Sequence, residues 1–138
     1  MSEVRPGVHF VNLASHRSES GELVIAEART HVPFAIVRMF TIKARHGSVR
    51  GQHAHLLCSQ FMICVQGAVE IVCDDGNVRQ NFMLNRDDLA LMVPPKIWNT
   101  VHFRQDDSIL SVLCDRPYEE QDYVREYAEF LKLRAART

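Results

Sequence analysis

Two histidines one residue apart, His53 and His55, stand in the stretch RGQHAHLLCSQFMICVQG at residues 50–67. In a β-strand, residues i and i+2 point to the same face, so the two imidazoles share one surface. Such a pair can bind a metal ion, carry protons to and from a bound substrate, or pack in the core. Each buried imidazole nitrogen needs a hydrogen-bond partner, which argues against packing alone. Gln60 joins this surface if the strand that begins there continues the same face.

The length and charge of the chain exclude some classes of function. A chain of 138 residues predicts a single domain over residues 1–138, because globular domains commonly hold about 100–150 residues. The formal net charge is -1, which gives no long-range field that would recruit nucleic acid or an anionic membrane. An anionic ligand must therefore be bound by a few arginines placed close to it.

The sequence also predicts a cytoplasmic protein. No run of 18 apolar residues is present, so no transmembrane segment is expected. The stretch MSEVRPGVHFVNL has no apolar signal region before a small-residue cleavage site, which predicts that no leader is present. The four cysteines form no C-x-x-C pair, and reduced, buried thiols are expected of them.

Short apolar runs rich in Val, Ile and Phe alternate with turn signals, which predicts an antiparallel sandwich or barrel. The dipeptide Asp75-Gly76 predicts a two-residue hairpin of type I′. In the segment YEEQDYVREYAEFLKLR, helical spacing of Tyr123, Tyr127, Phe130 and Leu131 predicts one short C-terminal helix. The run QFMICV is apolar on both faces, and we expect its outer face to meet a second subunit.

The spacing H-x-H, four residues, Gln60, six residues, Gly67 matches the first motif of the cupin barrels. Metal-binding cupins carry glutamate where Gln60 stands and a second-motif histidine where Asn99 stands. Two imidazoles and two neutral amides form a poor cage for a divalent ion. His102, three residues after Asn99, remains a possible third nitrogen ligand for such an ion. We predict that the chain has no metal and no cofactor.

Several stretches in order resemble the dTDP-4-keto-6-deoxyglucose 3,4-ketoisomerases, small metal-free cupins of deoxyamino-sugar biosynthesis, of the WxcM-like C-terminal domain type. They are VPFAIVRMF, RGQHAH, QFMICVQG, DDGN, PPKIW and YEEQDYVREYAEF. The resemblance implies an all-β fold, a cupin-type antiparallel β-barrel (jelly roll) with one short C-terminal helix. It also implies a dTDP-linked keto sugar as ligand and a homodimer.

The family moves a ketone from C4 to C3 of the sugar through an enediol. The resemblance implies that His53 and His55 are the catalytic pair, and imidazole suits proton transfer near neutrality. It implies substrate binding by Arg38 and Arg50 at the pyrophosphate. Gln60 and Asn99 are expected to hydrogen-bond sugar hydroxyls. Trp98 is expected to stack on the base or the sugar ring, with core packing as the alternative, and Tyr118, Tyr123 and Tyr127 are expected to pack the helix.

This chain departs from the family pattern at Phe40-Thr41, Leu56-Leu57 and Asn99. Many family members have tyrosine, a polar residue and histidine at these places. The departures leave open the configuration of the product at C4. The alternatives are a nucleotide-sugar epimerase, a non-catalytic cupin that binds a sugar nucleotide and, least favoured, a metal-dependent cupin oxygenase.

Overall fold

The computed structural model describes residues 7–136, so part of the N-terminal stretch used for the leader prediction lies outside the described residues. Its twelve strands are β1 (His9–Asn12), β2 (Ala14–Ser18), β3 (Gly21–Ile25), β4 (Arg38–Ala44), β5 (Val49–His55), β6 (Gln60–Gln66), β7 (Val69–Asp74), β8 (Arg79–Leu84), β9 (Leu89–Val93), β10 (Trp98–Phe103), β11 (Ser108–Cys114) and β12 (Tyr123–Val124). A 3₁₀ turn at Glu120–Asp122 precedes β12, and the helix α1 spans Tyr127–Ala135.

Two five-stranded antiparallel sheets face each other. The first sheet has the order β1-β9-β6-β11-β4, and the second has the order β12-β5-β10-β7-β8. Between them lies a core of apolar side chains that includes Ile71, Leu91, Phe103 and Leu110. The predicted all-β cupin fold is confirmed as a jelly-roll arrangement of two sheets rather than one closed barrel.

The runs predicted as strands become strands because alternating apolar side chains face the core. The hairpin at Asp75-Gly76 is also present, but its loop is longer than predicted. Strand β7 ends at Asp74 and β8 begins at Arg79. Between them, the Asp75 carboxylate accepts hydrogen bonds from the backbone N–H groups of Asn77 and Val78. Gly76 has φ +94°. The side chain of Asp75 therefore stabilises a four-residue loop in place of a type I′ turn.

The second apolar face of QFMICV has a different explanation from the predicted subunit contact. Phe61 is 0% exposed and belongs to a second cluster with Leu13, Val32, Met92 and Leu113. Val24, Ala26 and Phe34 pack against this cluster. The chain thus covers this part of the outer face with β3 and the segment that follows it.

The C-terminal helix is present but begins later than the spacing predicts. Tyr123 lies in the short strand β12, which pairs with β5, and only Tyr127 and the residues after it are helical. Among residues 7–136, no helix is long and apolar enough to cross a membrane.

Candidate active site

A β-bulge sets the direction of the two histidines. In the pairing of β5 with β10, Asn99 is opposite His53 while Thr100 is opposite Gly51, so Gln52 is the extra residue. Gly51 and Gln52 both have positive φ, +85° and +64°. A Cβ atom on Gly51 would lie 2.9 Å from the backbone oxygen of Asn99, so only glycine allows this close approach.

After the bulge, His53 and His55 point into the space between the sheets, as predicted. Their ring centroids are 5.1 Å apart and the rings are nearly perpendicular, at 89°. His55 is buried, with 3% exposure, whereas His53 is partly exposed. Nε2 of His55 is a buried atom that has no hydrogen-bond partner in the described part of the chain.

Asp122 fixes the orientation of His55. Its Oδ2 lies 2.9 Å from Nδ1 of His55, and its Oδ1 accepts a hydrogen bond of 2.7 Å from the backbone N–H of Leu57. A carboxylate has no proton to donate, so Nδ1 carries the hydrogen in this pair. The neutral imidazole therefore has its lone pair on Nε2.

Tyr123 covers both imidazoles. It is opposite His55 in the pairing of β12 with β5, and its ring centroid is 5.0 Å from that of His53 and 4.4 Å from that of His55. The guanidinium of Arg125 lies 4.3 Å from the centroid of the Tyr123 ring on another side. The prediction that Tyr123 packs the helix is therefore wrong, because the tyrosine lies in a strand beside the histidines.

Burial keeps both imidazoles neutral near neutrality. Burial, followed by the nearby His55, lowers the pKa of His53 from 6.5 to about 4. Burial also lowers the pKa of His55, and Asp122 opposes part of this change. Neutral imidazoles can accept protons, so the pair is suited to general-base chemistry at neutral pH.

A second polar row lies on the opposite sheet. Arg38, Cys114 and Gln60 are neighbours across β4, β11 and β6, and Nη2 of Arg38 lies 3.6 Å from Sγ of Cys114. Gln60 is buried. It reaches the space between the sheets from the sheet opposite the histidines, whereas a continuation of their own face was expected.

Within residues 7–136, three buried polar atoms in this region have no hydrogen-bond partner: Nε of Arg38, Nε2 of His55 and Nδ2 of Asn99. Buried polar groups are nearly always hydrogen-bonded in folded proteins. Arg38 belongs to one sheet, and His55 and Asn99 belong to the other. Unpaired donors and one acceptor from both sheets are the expected signature of a site that hydrogen-bonds a polar ligand.

Two predicted site residues lie elsewhere. Trp98 is on β10 next to Asn99 and so points to the opposite face, where its ring contacts those of Tyr127 and Phe130. It lines a groove of about 690 Å³ on the outer surface of the second sheet, with Arg79, Thr100 and His102. Arg50 is exposed and precedes the bulge. The structure does not bring either residue to the histidine pair.

The cupin metal positions do not fit a divalent ion in this chain. His53 and His55 are accompanied there by the neutral amides of Gln60 and Asn99. This donor set lacks a carboxylate to neutralise the charge of a cation.

Sequence reasoning missed Asp122, and also Cys58 and Cys114, whose thiols lie in the same region. The stretch YEEQDYVREYAEF carries part of the family resemblance, but no role is predicted for its aspartate, Asp122. Asp122 is 67 residues away from His55 in the chain. Only the pairing of β12 with β5 brings the two together.

Comparisons with known proteins agree with this fold. The profile of the family described as FdtA: WxcM-like, C-terminal matches residues 6–135. A TDP-4-oxo-6-deoxy-alpha-D-glucose-3,4-oxoisomerase of Aneurinibacillus thermoaerophilus is 33% identical over 123 residues, which is 88% of each chain.

Solved structures are similar over nearly the full length. A 3,4-ketoisomerase of Helicobacter canadensis has a TM-score of 0.89 at 29% identity, with 93% of this chain and 97% of that chain covered. The sugar 3,4-ketoisomerase QdtA of Thermoanaerobacterium thermosaccharolyticum, in complex with TDP, has a TM-score of 0.90 at 25% identity, with 94% and 95% covered. The resemblance seen in the sequence motifs is confirmed, and this chain belongs to the FdtA family, WxcM-like, C-terminal.

Proposed function

We propose that this protein is a sugar-nucleotide 3,4-ketoisomerase that converts a dTDP-4-keto-6-deoxyhexose to its 3-keto isomer in deoxysugar biosynthesis. The observation that supports it best is the buried Asp122–His55 pair, which leaves Nε2 of His55 free beside a second imidazole. Family membership and the 3,4-oxoisomerase relative support the same reaction.

The reaction needs a base at C3, because the adjacent carbonyl at C4 acidifies the proton there. Nε2 of His55 removes this proton, the electrons of the C3–H bond form a C3–C4 double bond, and the C4 oxygen takes up a proton. The C3 hydroxyl of the enediol then loses its proton and becomes the ketone, while C4 receives a proton from the His55 imidazolium. Asp122 stabilises that imidazolium during the transfer.

His53 and Tyr123 are the groups placed to serve the two oxygens. The pKa of His53, lowered to about 4 by burial and by His55, keeps its imidazole neutral. Its N–H can then donate the proton that the C4 oxygen takes up, and the same nitrogen can accept the proton that the C3 hydroxyl loses. Tyr123 contacts both rings and offers a phenol near them, although Phe40 and Thr41 replace the tyrosines common in the family.

The ligand contacts follow from the unpaired donors. Arg38 can meet a pyrophosphate oxygen with its free Nε, since guanidinium groups bind phosphate in this way. The Asn99 amide can donate to a sugar hydroxyl, and Gln60 lies on the facing strand. We retain Arg50 and Trp98 as binding candidates only for the outer part of the nucleotide.

Proton NMR in deuterated buffer tests the function directly. We expect incubation with dTDP-4-keto-6-deoxyglucose to give deuterium exchange at the reacting carbons and a new 3-keto sugar. The His55→Asn variant should lose the activity, whereas His16→Asn should keep it, because His16 is exposed on β2. Binding of dTDP without any exchange would identify a non-catalytic cupin instead, and exchange with inversion but no ketone transfer would identify an epimerase.

We further propose that the protein is a cytoplasmic homodimer. Four free, buried cysteines support a reducing compartment. Among the described residues, β4 forms an open edge of the first sheet, and Val37 and Met39 there are 56% and 61% exposed. Light scattering after size exclusion should give twice the mass of one chain, and a monomer at micromolar concentration would contradict the dimer.

A further inference from the structure

A second set of potential ligands overlaps the catalytic pair. The side chains of His55, Cys58 and Asp122 are all buried, and one ligand atom of each lies within 4.8 Å of the other two. The set contains one nitrogen, one sulfur and one oxygen donor. Zinc and related ions bind this combination of donors in tetrahedral sites.

This set differs from the cupin metal positions, because Cys58 stands at a variable position of the first cupin motif and Asp122 lies outside both motifs. Cys58 is in the loop between β5 and β6, and Asp122 is in the 3₁₀ turn before β12. The loop and the turn are held together by backbone bonds from Leu56 N–H to the Asp122 oxygen and by the bond from Leu57 N–H to the Asp122 carboxylate. The three donors are therefore held in place before any ion arrives.

The local charges suit a divalent ion. With Cys58 as thiolate, Asp122 ionised and His55 neutral, the ligands carry two negative charges, which balance a 2+ ion. Two basic groups lie near this region. Nη2 of Arg38 on the facing sheet lies 3.6 Å from Sγ of Cys114, and the guanidinium of Arg125 lies 4.3 Å from the centroid of the Tyr123 ring. Because both charges oppose a cation, binding depends on the two negative ligands.

The thiol proton has an acceptor nearby. The Cys58 thiol donates to the backbone oxygen of Ser59 at 3.4 Å, and an incoming ion must displace this proton. Metal binding generally releases protons in this way.

We propose that His55, Cys58 and Asp122 form an inhibitory site for a thiophilic divalent cation of the zinc class, with water in the fourth position. The inhibitory part of this proposal rests on the proposed function, whereas the binding part does not. An ion on Nε2 takes the lone pair of the base directly. An ion on Nδ1 displaces the Asp122 hydrogen bond and leaves the remaining hydrogen on Nε2, so His55 cannot accept a proton in either case.

Cobalt absorption tests the binding without any activity. We expect one equivalent of Co²⁺ added to the metal-stripped protein to give a near-ultraviolet thiolate band and tetrahedral visible bands, which Zn²⁺ then removes. The Cys58→Ser variant should lose the thiolate band and bind Zn²⁺ at least about 10-fold more weakly, the loss expected for a ligand or its close support. Cys64→Ser is the matched control, since Cys64 is an equally buried thiol that contacts the Gln66 oxygen, and it should leave the spectrum unchanged.

Activity provides the second readout. Zn²⁺ should inhibit the wild-type isomerase, a chelator should restore the full rate, and Cys58→Ser should keep the basal rate while losing the inhibition. A wild-type protein without a thiolate band, or a band that Cys64→Ser removes and Cys58→Ser keeps, would overturn the site. If the band appears but the protein lacks isomerase activity, the proposed function fails and the metal site stands.

Discussion

At the scale of single residues, the site depends on which nitrogen of His55 carries its hydrogen. An isolated imidazole exchanges between two tautomers, and only one of them has its lone pair toward the space between the sheets. Asp122 selects this tautomer by accepting from Nδ1 at 2.9 Å. Burial at 3% and 6% exposure protects the pair from competing water. His55 and Asp122 therefore form one unit.

Replacing Asp122 tests this unit. In Asp122→Asn the amide oxygen can still accept from Leu57, but the NH₂ group then faces Nδ1 and favours hydrogen on Nε2. We expect kcat to fall by about 100-fold or more, the usual contribution of a general base, with a much smaller change in KM. Asp115→Asn is the control, because Asp115 accepts from Ser59 N–H in the same loop without touching His55. Equal losses in both variants would mean that Asp122 acts only as a loop support.

The lowered histidine pKa values predict the pH dependence of the rate. A base works in its neutral form, and burial lowers the pKa of His53 to about 4 and also lowers the pKa of His55. The ordinary pKa of histidine is 6.5. We therefore expect kcat/KM to stay constant as the pH falls through 6.5 and to decrease only at lower pH. An acid limb centred at or above 6.5 would contradict this prediction.

Stability must be monitored in the same experiment. Between pH 6.5 and about 4, the unfolded chain binds a proton at His53 that the folded chain does not. The free energy of unfolding therefore decreases as the pH falls through this window. Circular dichroism at each pH separates this loss from protonation of the base.

At the scale of elements, alternation of apolar residues predicted most strands, because alternation reports burial of one face directly. It could not predict β12, which is only two residues long and exists because Tyr123 and Val124 meet His55 and Ala54 from a distant part of the chain. The helical spacing predicted for Tyr123 was misleading for the same reason, because a short segment can fit both the period of a helix and the period of a strand. The placement of Asp122 and Tyr123 in the site was hidden by this ambiguity.

The bulge explains why some of the predicted site residues lie together and others lie apart. His53, His55 and Asn99 come together because Gln52 is accommodated as an extra residue opposite Asn99 and Thr100. The three-residue H-x-H spacing predicted a shared face correctly, because alternation along a strand is a local rule. The position of Trp98 could not be predicted without knowing which face of β10 meets α1. That contact is set by tertiary packing with Tyr127 and Phe130.

Gly51→Ala tests the bulge as the element that aims the pair. A methyl group there would lie 2.9 Å from the Asn99 backbone oxygen at φ +85°, so the strand must shift and move His53. We expect a loss of kcat/KM together with a lower melting temperature. Gly47→Ala is the matched control, with φ +93° and no atom within 4 Å; it should cost only about 1–2 kcal/mol of stability for its backbone and leave kcat unchanged.

At the scale of the whole molecule, the first sheet is covered on both faces by parts of the same chain. Its inner face meets the second sheet, and part of its outer face meets Val24, Ala26 and Phe34. Apolar residues on both faces of β6 therefore indicated a second covering layer correctly but not its origin. A sequence pattern reports that a face is buried, whereas the identity of the covering segment depends on the path of the chain.

Substitutions on β6 distinguish the covered part of this face from the open part. Phe61 is 0% exposed, whereas Val65, four residues further along β6 on the same face, is 49% exposed. We expect Phe61→Ala to lower the free energy of unfolding by about 3–5 kcal/mol, as for other buried phenylalanines. Val65→Ala should change it by less than about 1 kcal/mol. Urea unfolding measured by tryptophan fluorescence and circular dichroism gives both values. If Phe61→Ala cost no more than Val65→Ala, the segment after β3 would not be packed on the sheet, and this face would be open to a partner as the sequence alone predicts.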